Sequence, residues 1–129
     1  MEATPEQIAT IAALNDLARR TMGVTCRTVI TQGVAALDSS TQTNIIKMVE
    51  AFEDFTTDND PRGEHDAGFL YRDLTGQWHT RWTAEDARPS LSVMWKIDYS
   101  DRELEYGSAE PWNPDATTRV LTILLANEY

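Results

Sequence analysis

The spacing of apolar residues changes from helical to strand-like within the chain, and this change constrains the fold more than any other feature. Before residue 57 apolar side chains recur every three or four positions, and after residue 66 they alternate with polar ones. The first period is typical of amphipathic helices and the second of half-buried strands. The pattern predicts an α+β fold with an antiparallel meander of about four strands packed against two or three helices.

The helical half predicts two helices separated by a strand. The first covers residues 4–22, with Thr4 as N-cap, and the second follows N-cap candidates at residues 38–41 and extends to Phe52. The segment between them, residues 24–32, alternates as a strand does. In the first helix Asn15 and Asp16 lie beside the apolar face, where they are either solvated or hydrogen-bonded inward, and Arg19 and Arg20 are expected to be solvated.

The second half predicts four strands and a closing helix. Residues 67–73 and 77–83 flank a connection containing Gly76 and predict a hairpin. Residues 84–90 predict a surface loop. Residues 91–99 give the clearest strand, and Leu104 and Tyr106 indicate a short one. Asn113 is an N-cap candidate for a last helix that reaches Leu125. The predicted order is α-β-α-β-β-β-β-α in a single domain, 1–129.

The charge of the chain limits the classes of partner. Acidic residues number 21 against 11 basic ones, which gives a net charge of −10, and eight of the acids lie between Glu50 and Asp73. Such a surface repels phosphate backbones, so direct nucleic-acid binding is disfavoured and a basic protein partner is favoured. No apolar run is long enough to span a membrane, no basic-then-apolar leader opens the chain, and the lone Cys26 has no partner for a disulfide. We therefore expect a cytoplasmic protein.

The strongest candidate site is the acidic loop, residues 57–68, which contains Glu64, His65 and Asp66 between two glycines. If this segment is extended, Glu64 and Asp66 lie on one side and can bind Mg²⁺, Mn²⁺ or Ca²⁺ together with Asp58 or Asp60. If it is a tight turn, all three side chains can converge as a base with an orienting acid. The favoured interpretation is structural, with the side chains satisfying backbone groups and no cofactor bound.

Stricter templates fail. A calcium loop beginning at Asp58 would place Phe69 at its last ligand position, and the available zinc ligands, His65, His79 and Cys26, are too few for a structural site. No serine lies in a nucleophile elbow, and no glycine run forms a phosphate cradle.

Outside the loop, two further sets of residues are candidates. Lys96 and Asp98 share the polar side of one predicted strand, and with Arg119 they are expected to form structural ion pairs. Trp112, which lies between two prolines, is the best candidate for an exposed aromatic that contacts a partner, ahead of Trp78, Trp82 and Tyr129.

Several runs together resemble a known family. They are Asn15-Asp16 with Arg19-Arg20, residues 52–68 with Asn59-Asp60-Pro61 and Gly63-Glu64-His65-Asp66, Trp95 to Tyr99 with Asp101, and Thr118 to Tyr129. The chain is similar to a small bacterial family catalogued as domain of unknown function 3768 and often carried on plasmids. The resemblance implies a mobile-element setting and supplies no activity. The chain departs from the family at Arg62, Ala67 and Ser100, and in a longer polar excursion over residues 78–90 that is a candidate contact surface.

These observations lead to two functional hypotheses. The first is an acidic binding protein that engages a basic partner through Asp58, Asp60, Glu64, Asp66 and Trp112. Its specific form is a mobile-element inhibitor of a host nucleic-acid-processing defence system, either anti-restriction or anti-CRISPR. The alternative is a small metal-dependent hydrolase that uses Glu64, His65 and Asp66.

Overall fold

The computed structural model describes residues 2–83 and 87–129 and confirms the α+β class. The helices are α1 (Pro5–Arg20), α2 (Gln32–Ala35) and α3 (Ser39–Glu50), and a 3₁₀ helix covers Ala126–Glu128. The strands are β1 (Arg27–Ile30), β2 (Ala67–Arg72), β3 (Trp78–His79), β4 (Leu91–Ser100) and β5 (Thr118–Leu125). None of the described helices is both long and apolar enough to cross a membrane.

The strands form one mixed sheet rather than a simple meander. Its order is β1-β5-β4-β2-β3, and all neighbours are antiparallel except β1 and β5, which are parallel. The long strand β4 is the middle of the sheet, where Trp95 pairs with Gly68 of β2 on one side and with Ile123 of β5 on the other. The strand nearest the N-terminus therefore joins the sheet through the strand nearest the C-terminus.

The predicted helices before the acidic loop are confirmed, with caps that explain where they begin. The Thr4 hydroxyl accepts a hydrogen bond from the backbone N–H of Gln7, and the Gln7 side chain accepts one from the backbone of Thr4. At α3 the Asp38 carboxylate accepts hydrogen bonds from the Thr41 hydroxyl, the Ser40 hydroxyl and the Thr41 backbone N–H, and these bonds lower the pKa of Asp38 to about 2. The short helix α2 was not predicted.

The closing helix predicted after Asn113 is wrong, because residues 118–125 form strand β5. Arg119, Leu121 and Ile123 alternate into the core with 4%, 0% and 0% exposure, while Leu124 on the other side is also nearly buried. A strand at the centre of a sheet is covered on both faces, so it carries an apolar run that periodicity cannot distinguish from a buried helix. The β-branched residues of this run, Thr118, Val120, Thr122 and Ile123, were the available signal for a strand.

Three smaller differences concern segment lengths. The strand predicted around Leu104 and Tyr106 is absent from the described residues. Leu104 has a φ of 61°, and the strand pairing found there is a single isolated bridge between Ser100 and Gly107. The second hairpin strand, predicted over residues 77–83, is shortened to β3. The strand predicted over residues 24–32 is shortened to β1. Part of the loop predicted for residues 84–90, namely 84–86, lies outside the described residues.

The core lies between the helices and one face of the sheet. Its largest fully buried side chain is Trp95, which packs with Phe52 at a ring-centroid distance of 5.4 Å. Gly68 lies under this pair, and a Cβ atom there would lie 2.6 Å from Trp95 Nε1 and 2.7 Å from Phe52 Cζ. The acidic loop, which ends at this glycine, is therefore held directly against the core.

Candidate functional site

The acidic loop is a turn rather than an extended segment. Gly63 and His65 both have positive φ angles, 74° and 57°, a conformation that is costly for a residue with a side chain. Of the two conformations that the sequence left open, the turn is therefore the one observed. The side chains of Glu64 and His65 nevertheless do not converge, because Glu64 is bonded to Tyr99 whereas His65 faces Asp16 and Asp60.

His65 fastens the loop to α1. Its Nδ1 lies 3.0 Å from Asp16 Oδ1, its Nε2 lies 3.8 Å from Asp60 Oδ2, and its backbone N–H donates to the Asp60 carboxylate at 3.2 Å. The imidazole also stacks on Phe55, with ring centroids 4.0 Å apart and planes 1° from parallel. Since both ring nitrogens face carboxylates and one ring face is covered, the side chain holds the loop in place.

Asn15 joins the loop to the sheet. It is fully buried, donates from Nδ2 to the Glu64 backbone carbonyl and to the Tyr99 hydroxyl, both at 2.9 Å, and accepts from Arg119 Nε at 2.7 Å. The Tyr99 hydroxyl in turn donates to Glu64 Oε1 at 2.8 Å, and burial is the main cause that raises the pKa of Tyr99. The sequence allowed the Asn15 side chain to be either solvated or hydrogen-bonded inward, and it is hydrogen-bonded inward.

The expectation that Arg19 is solvated is wrong. Its side chain is fully buried, donates to Asp16 Oδ1 at 3.0 Å and to the Phe52 carbonyl at 2.8 Å, and its guanidinium lies 5.3 Å from the ring centroids of Phe55 and Trp95. Burial lowers the pKa of Arg19, while the hydrogen bond to Asp16 opposes that shift. Pairing and ring stacking make the burial of this cation tolerable.

The carboxylates predicted as metal ligands do not form a metal centre. Within residues 2–83 and 87–129, no group of three or more His, Cys, Asp or Glu side chains is arranged to hold a metal ion. Asp60 is nearly buried against His65, Glu64 is bonded to Tyr99, and Asp66 is half-buried. Burial, and next the charge of Glu64, raise the pKa of Asp66. Only Asp58 among the four proposed carboxylates is exposed.

Asp58 borders a cleft of about 460 Å³ between the acidic loop and β2. We call it the aromatic cleft, and the residues that matter for its chemistry are Asp58, Asn59, Phe69, Tyr71, Arg81 and Trp82. Phe69 and Tyr71 project from the same side of β2, opposite to the buried Leu70. The volume is in the range of small-ligand sites, and the cleft is open enough to admit a side chain of another protein.

The aromatic rings of this cleft form a continuous row. The Phe69 and Tyr71 centroids are 6.1 Å apart with planes 12° from parallel, and Trp82 follows at 5.9 Å from Tyr71. Phe69 is 39% exposed. Phe69 and Tyr71 were not predicted as site residues, although their spacing of two in a predicted strand was a signal that they share a face. Trp82 lies in the polar excursion over residues 78–90, which was predicted as a candidate contact surface.

One cation in the aromatic cleft is neutralised internally. Arg81 donates from Nε to Asp54 Oδ2 at 2.9 Å and from Nη2 to Oδ1 at 2.7 Å, and Thr80 donates to the same carboxylate at 2.7 Å. The bonds from Arg81 and Thr80 lower the pKa of Asp54 to about 2. The Asp58 carboxylate accepts no hydrogen bond from the described residues, and its charge contributes to the raised pKa of Arg81.

The remaining candidates lie apart from this cleft. Lys96 contacts Asp98 through a short ion pair on β4. The proposed ion-pair network is wrong for Arg119, which donates instead to Asn15 and, at 2.5 Å, to the Pro111 carbonyl because its side chain points into the core side of β5. Trp112 is half-buried.

Comparison with known proteins agrees with the resemblance seen in the sequence. Residues 30–128 match the family model described as "Protein of unknown function (DUF3768)". No curated protein and no solved structure matched the chain. The matched range begins after α1, although Asn15 and Asp16 of that helix contact the acidic loop. Because the match covers most of its length, this chain belongs to the DUF3768 family of proteins of unknown function.

Proposed function

We propose that this protein is a non-enzymatic binding protein that engages a basic protein partner at the aromatic cleft. The observation that carries the proposal is the row of Phe69, Tyr71 and Trp82, of which Phe69 is exposed and the other two are half-buried, beside the exposed carboxylate of Asp58. Large aromatic side chains are the residue type that most often dominates binding energy at protein interfaces. A contiguous row of aromatic rings at the surface indicates an interaction site more strongly than an isolated exposed ring does.

The chemistry of the cleft favours an arginine or lysine side chain as the inserted group. A cation over the face of Trp or Tyr is attracted by the ring quadrupole, and a neighbouring carboxylate adds a charge-assisted hydrogen bond. Asp58 can supply that carboxylate, whereas Asp54 is already occupied by Arg81. The internal Asp54–Arg81 pair is bidentate, and in this proposal a partner arginine adopts the same geometry at this edge of the cleft.

The charge of the whole chain supports a basic partner. A net charge of −10 accelerates encounter with positively charged surfaces and opposes encounter with nucleic acids. In this proposal most carboxylates of the acidic loop act indirectly. Asp60 and Glu64 maintain the turn, Asp66 adds to the local negative field, and Asp58 makes the contact.

The more specific form of the proposal is an inhibitor of a restriction or CRISPR nuclease. Enzymes that handle nucleic acids carry basic surfaces for phosphate groups, and an acidic protein can occupy such a surface. No group of His, Cys, Asp or Glu side chains in the described residues favours the alternative of a metal-dependent hydrolase.

The proposal is tested by titrating a hexa-arginine peptide into ¹⁵N-labelled protein and following the tryptophan indole signals. We expect saturable shifts at Trp82 and none at the buried Trp95. Asp58→Asn should weaken binding about fivefold, equivalent to roughly 1 kcal/mol for one exposed charge contact. Asp115→Asn is the matched control, because Asp115 is exposed and the substitution changes the net charge equally. Equal weakening by both substitutions would show that the peptide reads only the total charge.

A further inference from the structure

Part of the β2 edge that lines the aromatic cleft has no neighbouring strand. Strand β2 has six residues, whereas β3, its neighbour on this side, pairs only with the last two, Tyr71 and Arg72. Residues 67–70 have no strand beside them on this side within the described part of the chain, and we call this stretch the open edge of β2. Ala67 and Phe69 of the open edge line the aromatic cleft.

The ladder between β2 and β4 determines which backbone groups point into the cleft. The Ile97 N–H donates to the Asp66 carbonyl at 2.8 Å, so the backbone groups of residue 66 and of every second residue after it face β4. Those of Ala67, Phe69 and Tyr71 therefore face the other way. The groups of Tyr71 meet β3. Within residues 2–83 and 87–129 the backbone of Ala67 and Phe69 makes no hydrogen bond outside the ladders, so each presents one N–H donor and one C=O acceptor to the cleft.

The Asp54 carboxylate explains why β3 ends early. Continuing the register of β2 and β3 by two residues would place Arg81 opposite Phe69. Instead, Arg81 donates two hydrogen bonds to Asp54, and Thr80 donates a third to the same carboxylate. Because these bonds hold residues 80–81 on Asp54, the chain does not pair with the open edge. The aromatic cleft, of about 460 Å³, is the space left where β3 would have continued.

We propose that the partner enters the aromatic cleft as an extended segment that adds a strand to the open edge of β2, antiparallel to it as β3 is. This inference rests on the proposed function and specifies the form of the partner. A strand added to an open sheet edge gains affinity from main-chain hydrogen bonds and specificity from its alternate side chains. A residue opposite Phe69 exchanges two backbone hydrogen bonds with it, and its side chain lies on the face that carries the aromatic row.

The charges around the cleft select the side chain at that position. Asp58 borders the cleft with an exposed carboxylate, and the aromatic rings attract a cation to their faces. An arginine or lysine opposite Phe69 therefore fits the site. A second copy of this chain is a poorer occupant, because it brings a net charge of −10 to an acidic surface.

The test compares three peptides in NMR titrations of ¹⁵N-labelled protein. They are acetyl-Thr-Val-Arg-Val-Thr-amide, the same peptide N-methylated at the arginine, and the same peptide N-methylated at the valine before it. All three have equal charge and equal side chains. With the arginine opposite Phe69, the arginine N–H points to β2 and the valine N–H points away from it. Methylation at the arginine should weaken binding at least about fivefold, equivalent to roughly 1 kcal/mol for one lost hydrogen bond. Methylation at the valine is the matched control and should leave the affinity within about twofold of the parent peptide, because its N–H makes no bond to the protein.

Amide hydrogen exchange gives a second measurement on the same samples. The Phe69 N–H should exchange more slowly when the parent peptide is bound, whereas the Leu70 N–H, which already faces β4, should change little. The inference alone is overturned if the parent peptide shifts the Trp82 indole signal but the two methylated peptides bind equally, or if exchange at Phe69 does not slow. It is also overturned alone if hexa-arginine binds and the parent peptide does not. If neither binds, the proposed function fails with it. Slow exchange at Phe69 that rises with protein concentration, without peptide, identifies a second copy as the occupant and overturns the inference.

Discussion

Replacing Asn15 by alanine should strongly destabilise the protein. The side chain is fully buried and makes three hydrogen bonds, to the Glu64 carbonyl, to the Tyr99 hydroxyl and from the Arg119 guanidinium. The bond to the charged group is worth roughly 1.5–3 kcal/mol and each neutral one roughly 0.5–1.5 kcal/mol. The expected loss in the free energy of unfolding is therefore about 3–5 kcal/mol, a large part of the roughly 5–15 kcal/mol typical of a domain.

Urea unfolding monitored by tryptophan fluorescence measures this loss. With a slope of roughly 1–3 kcal/mol per molar urea, the midpoint should fall by about 1–5 M. Asn44→Ala is the matched control, because Asn44 is an exposed residue of α3 and gains the same helix propensity from the substitution. If the two variants differ by less than about 0.5 kcal/mol, the buried network does not hold the acidic loop to α1 and the reasoning is refuted.

Three further predictions concern the core, the loop and the cleft. Gly68→Ala should lower the free energy of unfolding by about 1–3 kcal/mol, because the added methyl group meets Trp95 and Phe52. Gly107→Ala is the control and should be nearly neutral, and thermal denaturation compares the two variants. Asp66→Asn should stabilise the protein at pH 7 and lose this advantage below about pH 4. The pKa of Asp66 is raised in the folded state, so ionisation of this carboxyl destabilises the fold as pH rises, and urea unfolding across pH checks the sign. Arg81→Ala should change the urea midpoint only slightly in the same assay despite its bidentate contact with Asp54, because the Arg81 side chain is largely exposed and solvent screens the pair.

Local signals predicted the local features of the fold well. The capping residues Thr4 and Asp38 mark the starts of α1 and α3, and the glycine at position 76, with a φ of 91°, closes the hairpin between β2 and β3. The alternation over residues 91–99 predicted β4 to within one residue. Each of these features depends on interactions within a few residues, which the sequence displays directly.

The failures have a common cause in contacts between distant residues. Asn15 looks like a surface residue of α1 until its partners, 49, 84 and 104 positions away, are brought to it. Strand β5 looks like a buried helix because β1 and β4 cover its two edges and side chains pack on both of its faces. The aromatic cleft needs β2 and the segment after β3 to meet, and no pattern within either segment reveals that Tyr71 and Trp82 are neighbours.

Photo-cross-linking in the native cell tests directly whether a basic protein occupies the aromatic cleft. The photoreactive residue p-benzoylphenylalanine replaces Phe69, which is 39% exposed in the cleft, or Tyr106, which is 74% exposed and does not line it. We predict a cross-linked protein with a basic surface from position 69 and none from position 106. A cross-link to an acidic protein or to nucleic acid, equal products from both positions, or no product from position 69 would contradict the proposed function.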